Sequence, residues 1–375
     1  MNERIPAEAF PPGEYLRDEL EERGWTQTEF AQILGRPVQV VNEIISAKRG
    51  VTPDTAKALA AALGTSAQFW MNLETAFQLS KAEPPPERIS REARLREKFP
   101  IREMVKRGWI AHSDDRDELE TRLKAYFQLQ SLDDPIALPY AAKRSQPKDE
   151  AADPLSPIQR AWLFRVKHIA EVMHVAAYSE KKLRDALAQL EALTTEPEEA
   201  RHVPRILGEC GVRFVIVEPV PGSKIDGVCF WVNRNSSPAI GMTLRFDRND
   251  NFWFVLRHEI EHVLRKHGQI RMIIDELDAD GGSESEEERQ ANEAAQEFCV
   301  PKREMEDFVA RVRPFFSEDK IVRFSRRIRR HPGIVIGQLQ RRIEKPDHLN
   351  KLKAKIRQYV TVSALTDGWG QTAAV

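Results

Sequence analysis

Residues 251–268 read NFWFVLRHEIEHVLRKHG, and this stretch decides the fold. Inside it, His258-Glu259-Ile260-Glu261-His262 forms an H-E-x-x-H pattern. On a helix, positions four apart share a face, so His258 and His262 can present both imidazoles to one ion. Glu259 follows the first His, where a carboxylate reaches a metal-bound water without ligating the metal. Phe252, Phe254, Val255, Val263 and Leu264 flank the pattern, as expected of a buried helix.

A third ligand is expected downstream. Residues 286–301, EEERQANEAAQEFCVP, again carry a helical period, with Ala291, Ala294, Ala295 and Phe298 on the packing face. Glu288 and Asn292 stand four apart on another face. A Glu from this second helix completes a His/His/Glu set and leaves a fourth position open, as in catalytic zinc sites. Asn292, one turn on, is placed to hold a ligating His by hydrogen bond. Glu284, Glu286 and Glu287 belong to the same acidic run, but only Glu288 is in phase with Asn292.

HEIEH followed by ERQANEAAQEFCVP resembles the ImmA/IrrE family of cytoplasmic zinc metallo-endopeptidases. Their usual pattern is H-E-L-G-H, then E-x-E-A-N-x-F-A-x-x-L-L-x-P. The resemblance implies Zn²⁺ on His258, His262 and Glu288, with Glu259 as catalytic carboxylate. Glu261 stands where the family carries Gly, and His267 comes one residue later than the customary trailing His. His267 and His331 are candidates to stabilise an oxyanion.

Outside this region the chain of 375 residues has room for two or three domains. Lys plus Arg (57) and Asp plus Glu (58) nearly cancel, although residues 1–80 are acidic on balance and residues 301–375 basic. No signal peptide and no long apolar run are present, so a soluble cytoplasmic protein without membrane contact is expected. Cys210, Cys229 and Cys299 follow neither disulfide nor zinc spacing and are expected to be reduced core residues.

Residues 14–79 read as short helices. Residues 14–23 are amphipathic and end at Gly24. Thr26 with Glu29 forms a capping box, and residues 35–37 make a turn. A helix follows with Val38, Val41, Ile44 and Ile45 inward, and Thr52-Pro53 opens another. Helix, Gly-containing turn, helix is the DNA-binding helix-turn-helix pattern. The segment from WTQTEF to GTSAQFWMNL is similar to the Xre/Cro group, in its HigA antitoxin branch. On that reading Gln39 and Asn42 address base edges, while Gln27, Lys48 and Arg49 meet phosphates.

Residues 82–95 are a Pro-rich charged linker, and residues 96–200 a helical connector without chemistry of its own. Within it, residues 144–153 mark a loop, and His112, His168 and His174 are surface or packed residues. Three apolar runs between residues 212 and 245, separated by turn residues (233–237 among them), predict a small sheet. Its last strand, residues 238–245, is a candidate exposed edge for a substrate peptide. Arg326, Arg327, Arg329 and Arg330 either touch nucleic acid or solvate a helical face, the latter being favoured, and the tail beyond Tyr359 is expected to be loose.

The expected fold is therefore mainly α with an α+β C-terminal domain: a helix-turn-helix bundle at residues 10–80, a linker and helical connector at 81–200, a zincin-like metallopeptidase domain at 201–345 and a tail at 346–375. The expected partners are operator DNA and a regulatory protein or peptide substrate, with homodimerisation as palindromic operators require. The alternative is a non-enzymatic HigA-like antitoxin or repressor whose H-E-x-x-H domain is a metal-stabilised sensor.

Overall fold

A computed structural model of the chain describes residues 9–136, 155–233, 236–269, 273–275, 285–345 and 347–369. The expected loop at 144–153, the middle of the turn at 233–237, and Glu284 lie outside the described residues. The chain divides into two compact units, residues 1–91 and 92–375.

Five helices lie wholly within the described residues of the first unit: α1 (Pro12–Arg23), α2 (Gln27–Leu34), α3 (Val38–Ile45), α4 (Pro53–Leu63) and α5 (Ala67–Lys81). Their limits follow local chemistry. Gly24, Gly35 and Gly64 adopt the left-handed conformation that ends α1, α2 and α4. The Thr26–Glu29 capping box forms in full, and Thr52 and Ser66 cap α4 and α5. Leu16, Phe30, Val41, Ile44, Leu59 and Trp70 make one core. Val38 does not join it. As the first residue of α3 it is 46% exposed, so the inward set begins at Val41.

The boundary between the units falls within α6 (Glu87–Lys98), and the second unit continues with α7 (Ile101–Lys106), α8 (Arg116–Phe127) and α9 (Pro157–Val172), then α10 (Glu180–Ala192) and α11 (Val203–Glu209). The strands β1 (Arg213–Ile216), β2 (Gly227–Val232) and β3 (Ser237–Met242) lead into α12 (Asn249–Leu264). After β4 (Ile273–Asp275) come α13 (Glu286–Cys299), α14 (Lys302–Val312), α15 (Glu318–Arg327), α16 (Pro332–Ile343), the short α17 (Arg357–Val360) and β5 (Leu365–Thr366).

The sheet runs β4-β2-β3-β1-β5. Alternate side chains of its strands enter two different cores. Phe214, Ile216, Cys229, Trp231, Ile240 and Met242 face the core shared with α10 to α16. Val215, Val228, Phe230, Val232 and Ala239 face a core shared with α6 to α9. The connector helices α6 to α9 are thus the second helical layer over the sheet, while α10 lies on the opposite face, and with both faces covered the strands read as unbroken apolar runs. His168 packs edge-on against Tyr126, at 4.9 Å between ring centres.

Three expectations change here. Residues 238–245 are not an edge, because β3 pairs antiparallel with β2 and parallel with β1 and so lies in the interior of the sheet. The described edges are β4 and β5. The segment after Tyr359 is packed as far as residue 369: β5 pairs with β1, and Asp367 accepts from Trp109 Nε1 at 3.3 Å. Arg330 does not belong to a solvated face. It is 6% exposed and donates to the Phe298 carbonyl at 2.9 and 3.1 Å and to Glu191 at 2.5 Å.

His331 caps α16: its Nδ1 accepts from Gly333 N at 3.0 Å and faces Asn249 Nδ2 at 2.9 Å. Burial holds the imidazole below its ordinary value despite Glu196 and Glu198 nearby. A folded value below the unfolded one means the cap contributes fully above the unfolded value of about 6.5 and is lost as the pH falls through it. His331→Asn, which retains a capping oxygen without titrating, is expected to show a smaller loss of denaturation midpoint between pH 7.5 and 5.5 than wild type. Identical losses would refute the assignment.

Candidate metal centre and nucleic-acid face

All sixteen residues of α12 are buried, polar ones included. It lies under the sheet with α13 and α16 against it. Enclosure on every side obliges each ionisable side chain to find a partner, and those partners define the site.

His258 and His262 project from one face, with their Nε2 atoms 2.9 Å apart. Glu288, on the first turn of α13, places carboxylate oxygens 3.3 Å from His258 Nε2 and 3.9 Å from His262 Nε2. Ser285 positions it by accepting from Glu288 N at 3.2 Å. All three donor groups lie within 4.8 Å of one another. Asn292 Oδ1 stands 2.9 Å from His258 Nδ1, which fixes the proton there and leaves Nε2 as a lone pair directed at the cluster. Burial, then His258, push the His262 imidazole down to about 3, so it is neutral at physiological pH. Two imidazoles and a carboxylate converging on one point are a donor set that fits a divalent metal ion.

His267 stands with its Nδ1 3.0 Å from His262 Nδ1, behind the ring of that residue. The structure therefore gives His267 a place as partner to His262, and His331 a place as a helix cap. Glu261, the departure from the family pattern, pairs with Arg257 at 2.8 Å on its own helix and with Arg265 at 2.5 Å at the residue that ends it. Burial alone would raise its carboxyl. The hydrogen bonds and charges of Arg257 and Arg265 outweigh that and hold it below the usual range.

Glu259 is 0% exposed and lies against the start of β2. A Cβ built on Gly227 would fall 2.1 Å from Glu259 Oε1 and 2.9 Å from Val255 Cγ1. Gly227 is thus the residue that gives this carboxylate room, a role that sequence reasoning missed. Its only signal was a glycine opening an apolar run.

On the first unit, Gln39, Asn42, Lys48 and Arg49 are exposed and Gln27 is half-buried. Asn42 donates to Gln27 Oε1 at 3.2 Å, so these two are brought together at the junction of α2 and α3. Glu43 accepts from Gln39 at 3.0 Å and pairs with Arg49 at 3.3 Å. The Lys48 backbone N–H donates to the Glu43 carbonyl at 2.8 Å, which sets its place at the end of α3.

A five-helix unit with a helix-turn-helix, and a second unit carrying paired His on a buried helix beside a Glu, define a two-module regulator of peptidase-like architecture. Comparison with known proteins agrees. Residues 16–70 match the helix-turn-helix family, and residues 211–344 match the IrrE N-terminal-like domain. Virulence-associated protein I of Dichelobacter nodosus is 39% identical over 83 residues, 22% of this chain and 77% of that protein. The uncharacterized HTH-type transcriptional regulator YddM of Escherichia coli is 31% identical over 84 residues, 22% of this chain and 88% of that protein. Among solved structures, Pseudomonas aeruginosa antitoxin HigA with higBA promoter is 39% identical, covering 20% of this chain and 82% of that one, with a TM-score of 0.19. A HigA-family antidote protein from Coxiella burnetii is 35% identical with a TM-score of 0.19, covering 20% and 82%. The chain belongs to the helix-turn-helix transcriptional regulators, with an IrrE N-terminal-like domain of the M78 peptidase family fused to that domain. Among the described residues no helix is long and apolar enough to cross a membrane.

Gly227→Ala is expected to lower stability by about 1–3 kcal/mol through overpacking. In the double variant with Glu259→Ala the two effects should be less than additive, since the clash partner is gone. A denaturant double-mutant cycle measures this, and strict additivity would show that Gly227 does not contact Glu259.

Proposed function

We propose that the chain is a cytoplasmic DNA-binding transcriptional regulator whose second module is a zinc-dependent endopeptidase acting on a regulatory protein. The regulator module is assigned to residues 10–80 and the hydrolytic module to residues 201–345, with residues 81–200 between them and a C-terminal segment from 346. The observation that carries the peptidase reading is the convergence of His258, His262 and Glu288, with Asn292 fixing the tautomer of the first imidazole.

His258 Nε2, His262 Nε2 and a Glu288 oxygen would hold Zn²⁺. When bound, the ion supplies Lewis acidity for a peptide carbonyl and lowers the pKa of water towards about 7. The protein's own part is proton handling and exclusion of solvent. Glu259 accepts a proton on its carboxylate and returns it to the leaving amide nitrogen. Asn292 and His267 keep the two rings from turning. Arg257 and Arg265 neutralise Glu261, so no uncompensated charge faces the donor set.

One observation favours the non-enzymatic sensor reading: Glu259 is wholly enclosed against Gly227. Glu259→Gln separates the two. A peptidase keeps its zinc and loses all cleavage of its cellular partner, followed by mass spectrometry of fragments. A sensor shows no fragment that depends on Glu259, while promoter activity still responds to the second module. Glu288→Ala should deplete zinc, whereas Glu286→Ala and Glu287→Ala should not; equal metal content in all three would sink the ligand assignment.

For DNA, α3 is the reading helix, with Gln39 and Asn42 at base edges and Gln27, Lys48 and Arg49 at phosphates. Two copies would bind a palindromic operator. Gln39→Ala or Asn42→Ala should weaken specific binding by about 1–3 kcal/mol. Lys48→Ala should weaken all sequences alike and reduce the salt slope. Glu43→Gln, which removes a carboxylate that holds Gln39 and Arg49, should tighten binding to every sequence. A mobility shift insensitive to salt and to all four substitutions would make the module a protein-interaction domain.

A further inference from the structure

A cavity of about 430 Å³ with a mixed polar and apolar lining lies between the N-terminal turn of α12 and α16 and takes no part in the roles above. Its walls bring together the rings of Phe246 and Phe254, the cations Arg248, Arg341 and Lys353, and the Asp250 carboxylate. Asp250 is 8% exposed and holds Arg248 at 3.2 Å and Lys353 at 3.3 Å. The backbone of α16 comes close at Gly337, where a Cβ would meet the Asp250 carboxylate at 2.5 Å. Lys353 also donates to Gln340 Oε1 at 2.6 Å, and its side chain is only 6% exposed.

Two features identify what this space accepts. The first is charge: three cations line it against two carboxylates, Asp250 and the exposed Glu344, leaving a positive excess. Burial pushes the Lys353 ammonium below its ordinary value despite Asp250, so a further anion would relieve it. The second is shape. Arg341 lies 4.4 Å over the Phe254 ring and Arg248 5.1 Å over the Phe246 ring, so flat apolar and flat cationic surfaces alternate. Rings stack on such surfaces, and carboxylates pair with the guanidinium edge. The volume exceeds that of a single amino-acid side chain several times over and falls in the small-ligand range of about 300–1,000 Å³.

We propose that this cavity binds a small planar organic anion, an aromatic ring bearing a carboxylate. The ring rests against Phe246 and the plane of the Arg341 guanidinium, which itself covers the buried Phe254 ring, and the carboxylate meets Arg248, Arg341 and Lys353. Phe254 precedes His258 by one turn of α12, with ring centres 6.4 Å apart, so an occupant adjoins the helix of the metal centre. Binding does not depend on the hydrolytic reading of that centre.

Calorimetric titration of the full chain with 2-naphthoate, its neutral isostere 2-naphthamide, and acetate tests the proposal. Expected is 2-naphthoate binding at least about tenfold tighter than either comparator, because ring and charge are both required. Arg341→Gln should weaken it at least about fivefold, whereas Arg342→Gln, an exposed neighbour paired with Glu306, should not. Asp250→Asn should tighten 2-naphthoate binding, since it removes the carboxylate that competes for Arg248 and Lys353; misfolding cannot produce that gain. Equal affinity for the amide or for acetate, absence of binding at millimolar concentration, or weaker binding in Asp250→Asn overturns the proposal.

Discussion

Burial of a helix that carries two imidazoles and three carboxylates, Asp250, Glu259 and Glu261, is the constraint on which the second unit depends. An apolar helix in the place of α12 would need only shape complementarity. This one needs a partner for each polar group, because an unmet charge in the interior costs several kcal/mol. The partners come from separate places. Asn292 and Glu288 arrive on α13, His267 from the turn after α12, Arg257 from α12 itself and Arg265 from its C-terminal cap. The low value of His262 is the signature of this arrangement, since the ring is kept neutral by enclosure and not by any acidic neighbour.

Enclosure in turn explains the layering. A sheet covered on one face only would leave Val215, Val228, Phe230 and Val232 in water, and α6 to α9 remove them from it. The sheet is then a rigid wall between two cores, and Gly227 can bring β2 within contact of Glu259 without a side chain intervening. Arg107 ties the layers together from the connector side by donating to the Glu218 and Pro219 carbonyls at 2.9 and 2.7 Å. The segment beyond residue 345 closes the same wall through β5 and through Asp247, which accepts from Ile356 N and Arg357 N.

Much of this was legible in the sequence because it is written in local chemistry. Helix limits followed from Thr26, Thr52, Gly24 and Gly64, and the i, i+4 spacing of His258 and His262 placed both rings on one face. The phase of Glu288 with Asn292 depended only on the period of one helix. What was hidden depends on contacts between distant segments. The position of β3 inside the sheet is set by its pairing with β1, some twenty-five residues earlier, and an apolar run reads alike at an edge and in the middle. Arg330 sits in an arginine-rich run that looks solvated, yet one guanidinium turns inward to meet the carbonyl that ends α13. The cavity beside Asp250 combines residues 246–254 with 337–353, which no sequence window contains.

The nucleic-acid face shows how such contacts set the strength of a function as well as its place. On the proposed reading, Gln39 and Asn42 would address base edges, but neither side chain is idle in the unbound chain. Gln39 is held by Glu43 and Asn42 by Gln27. Each must exchange an internal hydrogen bond for one to a base, so the net gain per contact approaches the roughly 0.5–1.5 kcal/mol of an exchanged bond and not its full strength. On the same reading Glu43 would add a carboxylate on the side turned towards DNA, and the acidic balance of residues 1–80 would lower the sequence-independent term. Affinity on these terms must come from many weak contacts made together, which is what a two-fold operator bound by two copies provides. The same internal bonds hold the reading side chains in one geometry before DNA arrives, so what the face loses in strength per contact it recovers in pre-organisation.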